Sequence, residues 1–279
     1  MSAALISPDW LGQHLDDPGV VIIEVSSKPP AEAEYSKGHI PGARYAFWKD
    51  LCWHDTDREF PEPAVMARRL GDLGVGPRST VVLVGDPIQF ATYAFWVLSM
   101  TGFEPQAGVL DGGRRTWIEQ GRPLTTKVPT IVPSEVEPGT TQTFSRVGRD
   151  EVRAGLNRPE RVLIDLRTPE EYFGERVSGP TAPFDHGAER KGRIPGARHL
   201  FYERLLRPDG TFKDPASLRA ESASVGVDDK ADVVCYCRLS HRASLGWFAL
   251  TRLLGHTNVR VYDGSWTEWG SIVGFPVER

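Results

Sequence analysis

Ile40-Pro41-Gly42-Ala43-Arg44 recurs as Ile194-Pro195-Gly196-Ala197-Arg198. This pentapeptide is the centre of a longer correspondence. Upstream, Pro8-Asp9 leads into Val21-Ile22-Ile23-Glu24-Val25, and Arg149-Asp150 leads into Val162-Leu163-Ile164-Asp165-Leu166. Downstream, Leu110-Asp111-Gly112-Gly113 with Trp117 returns as Tyr262-Asp263-Gly264-Ser265 with Trp269. One such match could arise by chance, but three in the same order mark an internal duplication. The spacing lengthens between Tyr172 and Arg193, which places an insertion at residues 173–191, from Phe173 to Lys191, in the second copy. The predicted domains are residues 1–125 and 146–279. Residues 126–145, rich in Pro and Thr and without a helical period, read as a linker.

Within each copy the pattern alternates between strand and helix. Residues 20–25, 80–84, 162–166 and 233–236 are short apolar runs rich in β-branched side chains. Near-continuous apolar strands fit a parallel sheet covered on both faces. After the last run, Leu245, Phe248, Ala249 and Leu253 fall on one helical face, and Gly255 supplies a stop. In the first copy the matching helix covers residues 93–100 and ends at Gly102. The expected fold class is α/β: two tandem domains, each a mostly parallel sheet flanked by helices.

Length and composition agree with that organisation. The 279 residues suit two domains, and 40% apolar with 25% charged residues is ordinary for a globular chain. The net charge of −4 argues against a nucleic-acid partner, which calls for a basic excess. No apolar run is long enough for a membrane span, and Met1 to Trp10 lacks the basic and apolar regions of a signal peptide. Three cysteines, Cys52, Cys235 and Cys237, do not make a disulfide framework. A reduced cytoplasmic protein is the expectation.

The two copies differ in chemistry at one junction. Open α/β sheets bind ligands at the carboxyl ends of their strands, where a helix N-terminus offers free N–H groups to an anion. The second copy has Cys237-Arg238-Leu239-Ser240-His241-Arg242 there, and the first has Gly85-Asp86-Pro87-Ile88-Gln89-Phe90. A helix start and nearby arginines favour a thiolate at Cys237. Cys235, two residues back in the strand, reads as core. A metal or redox pair at Cys235 and Cys237 would need a second Cys/His group at ligand spacing, and none is evident.

These residues resemble a known family over nearly the whole chain: the two-domain rhodanese-type sulfurtransferases. The resemblance rests on Tyr35-Ser36-Lys37-Gly38-His39-Ile40-Pro41-Gly42-Ala43, on Val259-Arg260-Val261-Tyr262-Asp263-Gly264-Ser265-Trp266-Thr267-Glu268-Trp269, and on the six-residue loop from Cys237 to Arg242. It implies a catalytically silent first domain and a Cys237 persulfide formed in a ping-pong sulfur transfer without a cofactor or metal. Arg238 and Arg242 would bind the anionic donor, with Leu239, Ser240 and His241 completing the site and Ser240 and His241 adding donors at its rim. The partners implied are a small-molecule sulfur donor and cyanide, a thiol or a protein acceptor. A basic loop resembles the thiosulfate users. The 3-mercaptopyruvate users carry a neutral loop and a carboxylate-binding arginine where this chain has Glu171, whose charge is wrong for that substrate. The alternative remains 3-mercaptopyruvate. A cysteine-dependent phosphatase would enclose five residues between thiolate and arginine, where this loop encloses four. A third alternative is a non-catalytic sulfur carrier or binding module: the intact Cys and two Arg argue against a dead module, but a Cys237 persulfide that turns over only with a protein acceptor stays open.

Asp165 and Arg167 either support the loop from behind or form an ordinary ion pair. The insertion is either a lid or docking loop, or a passive surface loop. Arg193 stands where the first copy has His39. Trp117, Trp266 and Trp269 read as core.

Overall fold

The computed structural model describes residues 4–103, 106–182 and 184–279. Met1 to Ala3, at the head of the stretch read for a signal peptide, and Pro183 of the insertion lie outside the described residues. The chain divides into two units. One is Met1–Thr143 with Pro208–Thr211, and the other is Phe144–Arg207 with Phe212–Arg279.

In the first unit the strands are β1 (Leu5–Ile6), β2 (Val20–Ser26), β3 (Arg44–Phe47), β4 (Thr80–Asp86) and β5 (Ala107–Leu110). They form one sheet in the order β1-β5-β4-β2-β3, every pair parallel. The central strand β4 is buried at every position between its ends, as the run Val81-Val82-Leu83-Val84 requires. The apolar helix Gln89–Met100 follows it and is buried from Ala91 to Met100. Residues 126–143 pack on this unit: Ser134 N–H donates to Gly71 O at 3.0 Å and Gln142 N–H to Met100 O at 2.7 Å.

The second unit repeats the plan with β6 (Arg146–Val147), β7 (Arg161–Asp165), β8 (Arg198–His199), β9 (Asp232–Tyr236) and β10 (Val259–Tyr262). Their order is β6-β10-β9-β7-β8, again all parallel. The α/β class and the paired parallel sheets agree with the sequence. The helix His241–Phe248 follows β9 and continues through a wider π turn over Ala249–Leu253. Leu245, Phe248 and Ala249 are buried as the helical pattern predicts, whereas Leu253, past the change of phase, is only half-buried. Trp117, Trp266 and Trp269 are fully buried, as a core reading requires.

Chain order fixes where a ligand can sit. From β7 the chain passes outward to β8, returns to β9 beside β7, and then continues to β10 on the other side. The carboxyl ends of β7 and β9 therefore flank a switch point, the place in an open parallel sheet where a crevice opens. Asp165 ends β7, and Cys237 follows β9.

Candidate active site

Cys237 is buried at the start of the loop that leads into His241–Phe248. The loop turns through Ser240, which has φ +71° and stands at the helix N-cap. A left-handed residue there reverses the chain within four residues. His241 is buried in the first helical turn, where its carbonyl accepts from Ser244 Oγ at 2.7 Å. Leu239 is half-buried. Among the described residues, no acceptor takes the main-chain N–H groups of Arg238, Leu239 or Ser240.

The segment after β10 clamps this loop. Cys237 N–H donates to Ser265 Oγ at 3.2 Å, and Trp266 N–H donates to Cys237 O at 2.9 Å. Thr267 donates twice to Arg238 O, from N–H at 3.1 Å and from Oγ1 at 2.7 Å. Ser240 Oγ bonds to the main-chain oxygen of Asp263 and to its Oδ1 at 2.9 Å. Ser265 Oγ itself donates to Tyr262 O at 2.9 Å. Asp263, Ser265, Trp266 and Thr267 are thus part of the site that sequence reasoning did not assign. Their signal was present in the repeated Asp-Gly motif, but not the register that lays it beside the loop.

The geometry corrects two expectations. Ser240 is not a donor at a pocket rim, because its hydroxyl is spent on Asp263. Glu171 does not present a bare negative charge either. Its carboxylate grips Arg242 through both oxygens, Nη1–Oε2 at 2.6 Å and Nη2–Oε1 at 2.9 Å. Burial pushes the Glu171 carboxyl up, but the Arg242 hydrogen bonds and charge outweigh it and hold the group below the usual carboxylate range. The pair keeps Arg242 protonated despite burial. Glu171 is placed by a capping box on the short helix Pro169–Tyr172: Thr168 N–H donates to Oε2 at 3.1 Å, and Glu171 N–H to Thr168 Oγ1 at 3.4 Å. The Thr168-Pro169-Glu170-Glu171 spacing is the sequence signal for that cap.

Asp165 and Arg167 form a fully buried pair, with Nη2–Oδ2 at 2.6 Å and Nε–Oδ1 at 3.0 Å. Arg167 also donates to Gly192 O at 2.8 Å and lies over the Trp266 ring at 4.6 Å. Tyr236, the residue before Cys237, donates its hydroxyl to Asp165 Oδ2 at 2.6 Å and accepts Ile194 N–H at 3.3 Å. Burial, with Asp165 beside it, raises the Tyr236 hydroxyl well above its ordinary range and keeps it a donor. This network ties the ends of β7 and β9 to each other.

The other cysteines are packing residues in their surroundings. Cys235 and Cys52 are fully buried, and burial raises both thiols. Among the described residues, no group of three or more His, Cys, Asp or Glu could hold a metal. None of the described helices is long and apolar enough to cross a membrane.

The insertion is folded on itself by Asp185 and tied to the segment after β10 by Arg190. Asp185 Oδ1 accepts the N–H groups of Val177 and Ser178 at 2.8 and 2.9 Å. Arg190 donates to four carbonyls, those of Trp269, Gly270, Ile272 and Phe275. Arg193, in the place of His39, lies over the Tyr172 ring at 4.6 Å and pairs with Glu278.

The rhodanese-like domain family matches residues 7–120 and again 148–272. The sulfur carrier protein TtuD of Thermus thermophilus is 39% identical, covering 99% of this chain and 96% of that protein. A protein of Saccharopolyspora erythraea named "Putative thiosulfate sulfurtransferase" is 37% identical, over 99% of this chain and 96% of its own. Among solved structures, the Escherichia coli 3-mercaptopyruvate sulfotransferase SseA superposes with a TM-score of 0.76 at 26% identity, covering 95% of this chain and 99% of that one. EanB, seen with a cysteine persulfide and ergothioneine, superposes with a TM-score of 0.80 at 25% identity, covering 99% of this chain and 70% of that one. The chain belongs to the rhodanese-like family and carries two copies of its domain.

Proposed function

We propose that this protein is a sulfurtransferase that carries a sulfane sulfur from thiosulfate through a Cys237 persulfide to cyanide or a thiol acceptor. The observation that carries the proposal is the loop itself. A lone cysteine heads it at the sheet's switch point, with three unpaired N–H groups and Arg238 directly after it. Names of the relatives support the reading, since they include a sulfur carrier protein and a "Putative thiosulfate sulfurtransferase".

In the first half-reaction the Cys237 thiolate attacks the outer sulfur of thiosulfate. The new S–S bond forms as the old one breaks, and sulfite leaves with the electron pair. In the second, cyanide carbon attacks the outer sulfur of the persulfide, thiocyanate departs and the thiolate returns. Both steps exchange one bond to sulfur for another and need no outside oxidant. Bringing a thiolate to an anion costs about 4 kcal/mol per unit-charge pair at 4 Å and an effective dielectric of 20. Arg238 and the loop N–H groups offset that repulsion, the latter as an anion nest. Arg242 contributes as part of its ion pair, so its role is to fix the start of the helix that follows Cys237. Asp165 and Arg167 act behind the loop through Tyr236.

The second reading is 3-mercaptopyruvate as donor. It is favoured by one observation: Arg242 cancels the Glu171 charge, so the site holds no bare carboxylate there to repel the substrate. Measuring kcat/KM for thiosulfate and 3-mercaptopyruvate on one preparation decides between them. We expect thiosulfate to be preferred, and a clear preference for 3-mercaptopyruvate would overturn that choice.

A further inference from the structure

The inserted segment of the second copy reaches the active-site loop at one point. Arg238 Nη1 donates to His186 Nε2 at 3.3 Å and to His186 O at 3.2 Å. The other ring nitrogen, Nδ1, lies 2.9 Å from Phe184 O. A carbonyl only accepts, so Nδ1 carries the proton and the Nε2 lone pair faces the guanidinium. Gly187, the next residue, also lies against Arg238. It has φ +114°, and a Cβ there would come within 2.9 Å of Arg238 Nη1. The frame that holds His186 is firm, because Asp185 caps two N–H groups on one side and Arg190 binds four carbonyls on the other.

We infer that His186 is a positioning residue that fixes the Arg238 guanidinium beside the Cys237 loop and so sets the site's preference for anionic reactants. A free arginine side chain carries substantial rotamer entropy, and a group held in place before binding loses less of it on binding. Arg242 has its fork committed to Glu171, which makes the setting of Arg238 the variable that governs anion recognition. The inference rests on the sulfurtransferase reading for its biological use, but not for its test.

The test compares His186→Ala and His186→Gln with wild type, using two alkylating probes and thiosulfate. Iodoacetate and iodoacetamide both react by displacement, in which the Cys237 Sγ–C bond forms as iodide leaves with the C–I pair. They differ in charge, so the ratio of their rates reports anion guidance and cancels the thiolate fraction. We expect His186→Ala to lower the iodoacetate-to-iodoacetamide ratio about fivefold, and to raise the KM for thiosulfate by a similar factor with kcat within about twofold. In His186→Gln the side-chain oxygen takes over as acceptor and restores both. A wild-type ratio in His186→Ala would overturn the inference, as would an equal fall in the Gln variant. Absence of thiosulfate turnover in wild type would sink the donor assignment alone, because the alkylation ratio still decides the role of His186.

Discussion

At the same register of the two sheets, the first copy places Gly85 and the second places Cys237. Glu24 pairs with Val84 across β2 and β4, and Asp165 pairs with Tyr236 across β7 and β9, so the next residue in each case is the glycine or the cysteine. Opposite them, Gly113 in one copy matches Ser265 in the other. In the first copy the two glycines close on each other: a Cβ at Gly113 would come within 2.6 Å of Gly85 O, and one at Gly85 within 2.7 Å of Pro87 O. In the second, Ser265 keeps a positive φ of 52° and supplies the hydroxyl that holds Cys237 N–H. A shared backbone therefore yields either a collapsed turn or a propped loop, according to whether side chains occupy these two positions.

The sharpest break of the comparison is chemical. Cys237→Ser should lower sulfur transfer by at least about a thousandfold while the far-UV dichroism is unchanged. The reciprocal change, Gly85→Cys, should create no activity and should cost about 2 kcal/mol, since the turn has no room for a side chain. Retained turnover in the first variant, or turnover gained in the second on a Cys237→Ser background, would remove the distinction between the copies.

Next in size is the ion pair peculiar to the second copy. Arg242 and Glu171 correspond to Phe90 and Pro30, so the first copy has no counterpart. Arg242→Ala leaves a buried Glu171 without its cation and should lower unfolding free energy by about 3 kcal/mol in denaturant titration. Adding Glu171→Leu to it should recover much of that loss. A fall in activity with full stability would show instead that Arg242 is devoted to substrate.

Ser265→Gly makes the second clamp like the first. Glycine accepts the positive φ, so the loss of stability comes from the hydroxyl's two buried hydrogen bonds, to Cys237 N–H and Tyr262 O, and should be about 2 kcal/mol. The N–H of Cys237 loses its acceptor, and kcat/KM should fall about tenfold, as the loss of one buried hydrogen bond implies. A lower melting temperature with kcat/KM unchanged would mean that the hydroxyl serves packing only.

These contrasts were unevenly legible in the sequence. The buried strands were, because a parallel sheet covered on both faces needs runs such as Val81 to Val84. The reactive loop was, because the two copies differ there in residue type. The capping box was visible in principle, since Thr168 and Glu171 stand three apart. The ion pair from Glu171 to Arg242 spans 71 residues and the Cys237–Ser265 bond spans 28. Such pairs follow from sheet register and from the left-handed turns at Ser240 and Ser265, neither of which leaves a periodic trace. The same holds for His186, which reaches Arg238 across 52 residues from a segment with no repeat partner.

The smallest effect separates the copies by the sign of a proton linkage. Glu24, in β2, is buried; the Ile40 N–H at 2.7 Å, Arg114 at 3.4 Å and His39 favour its charge, and Asp86 opposes it. Burial wins, and its carboxyl is raised above the ordinary range. Glu171 has the bidentate Arg242, and its carboxyl is lowered. A lowered group binds protons less well folded than unfolded, so its contribution is present above the ordinary glutamate range and is lost as pH falls through the folded value. A raised group does the reverse, stabilising fully below the ordinary range and losing that contribution as pH rises through the folded value. Glu171→Gln should therefore flatten the acid limb of the stability curve, and Glu24→Gln should flatten a decline on the way from acid toward neutral pH. Denaturation midpoints taken from pH 3 to 7 check both. If the two variants shift the curve in the same direction, the charges of these buried carboxylates are not set by the partners described.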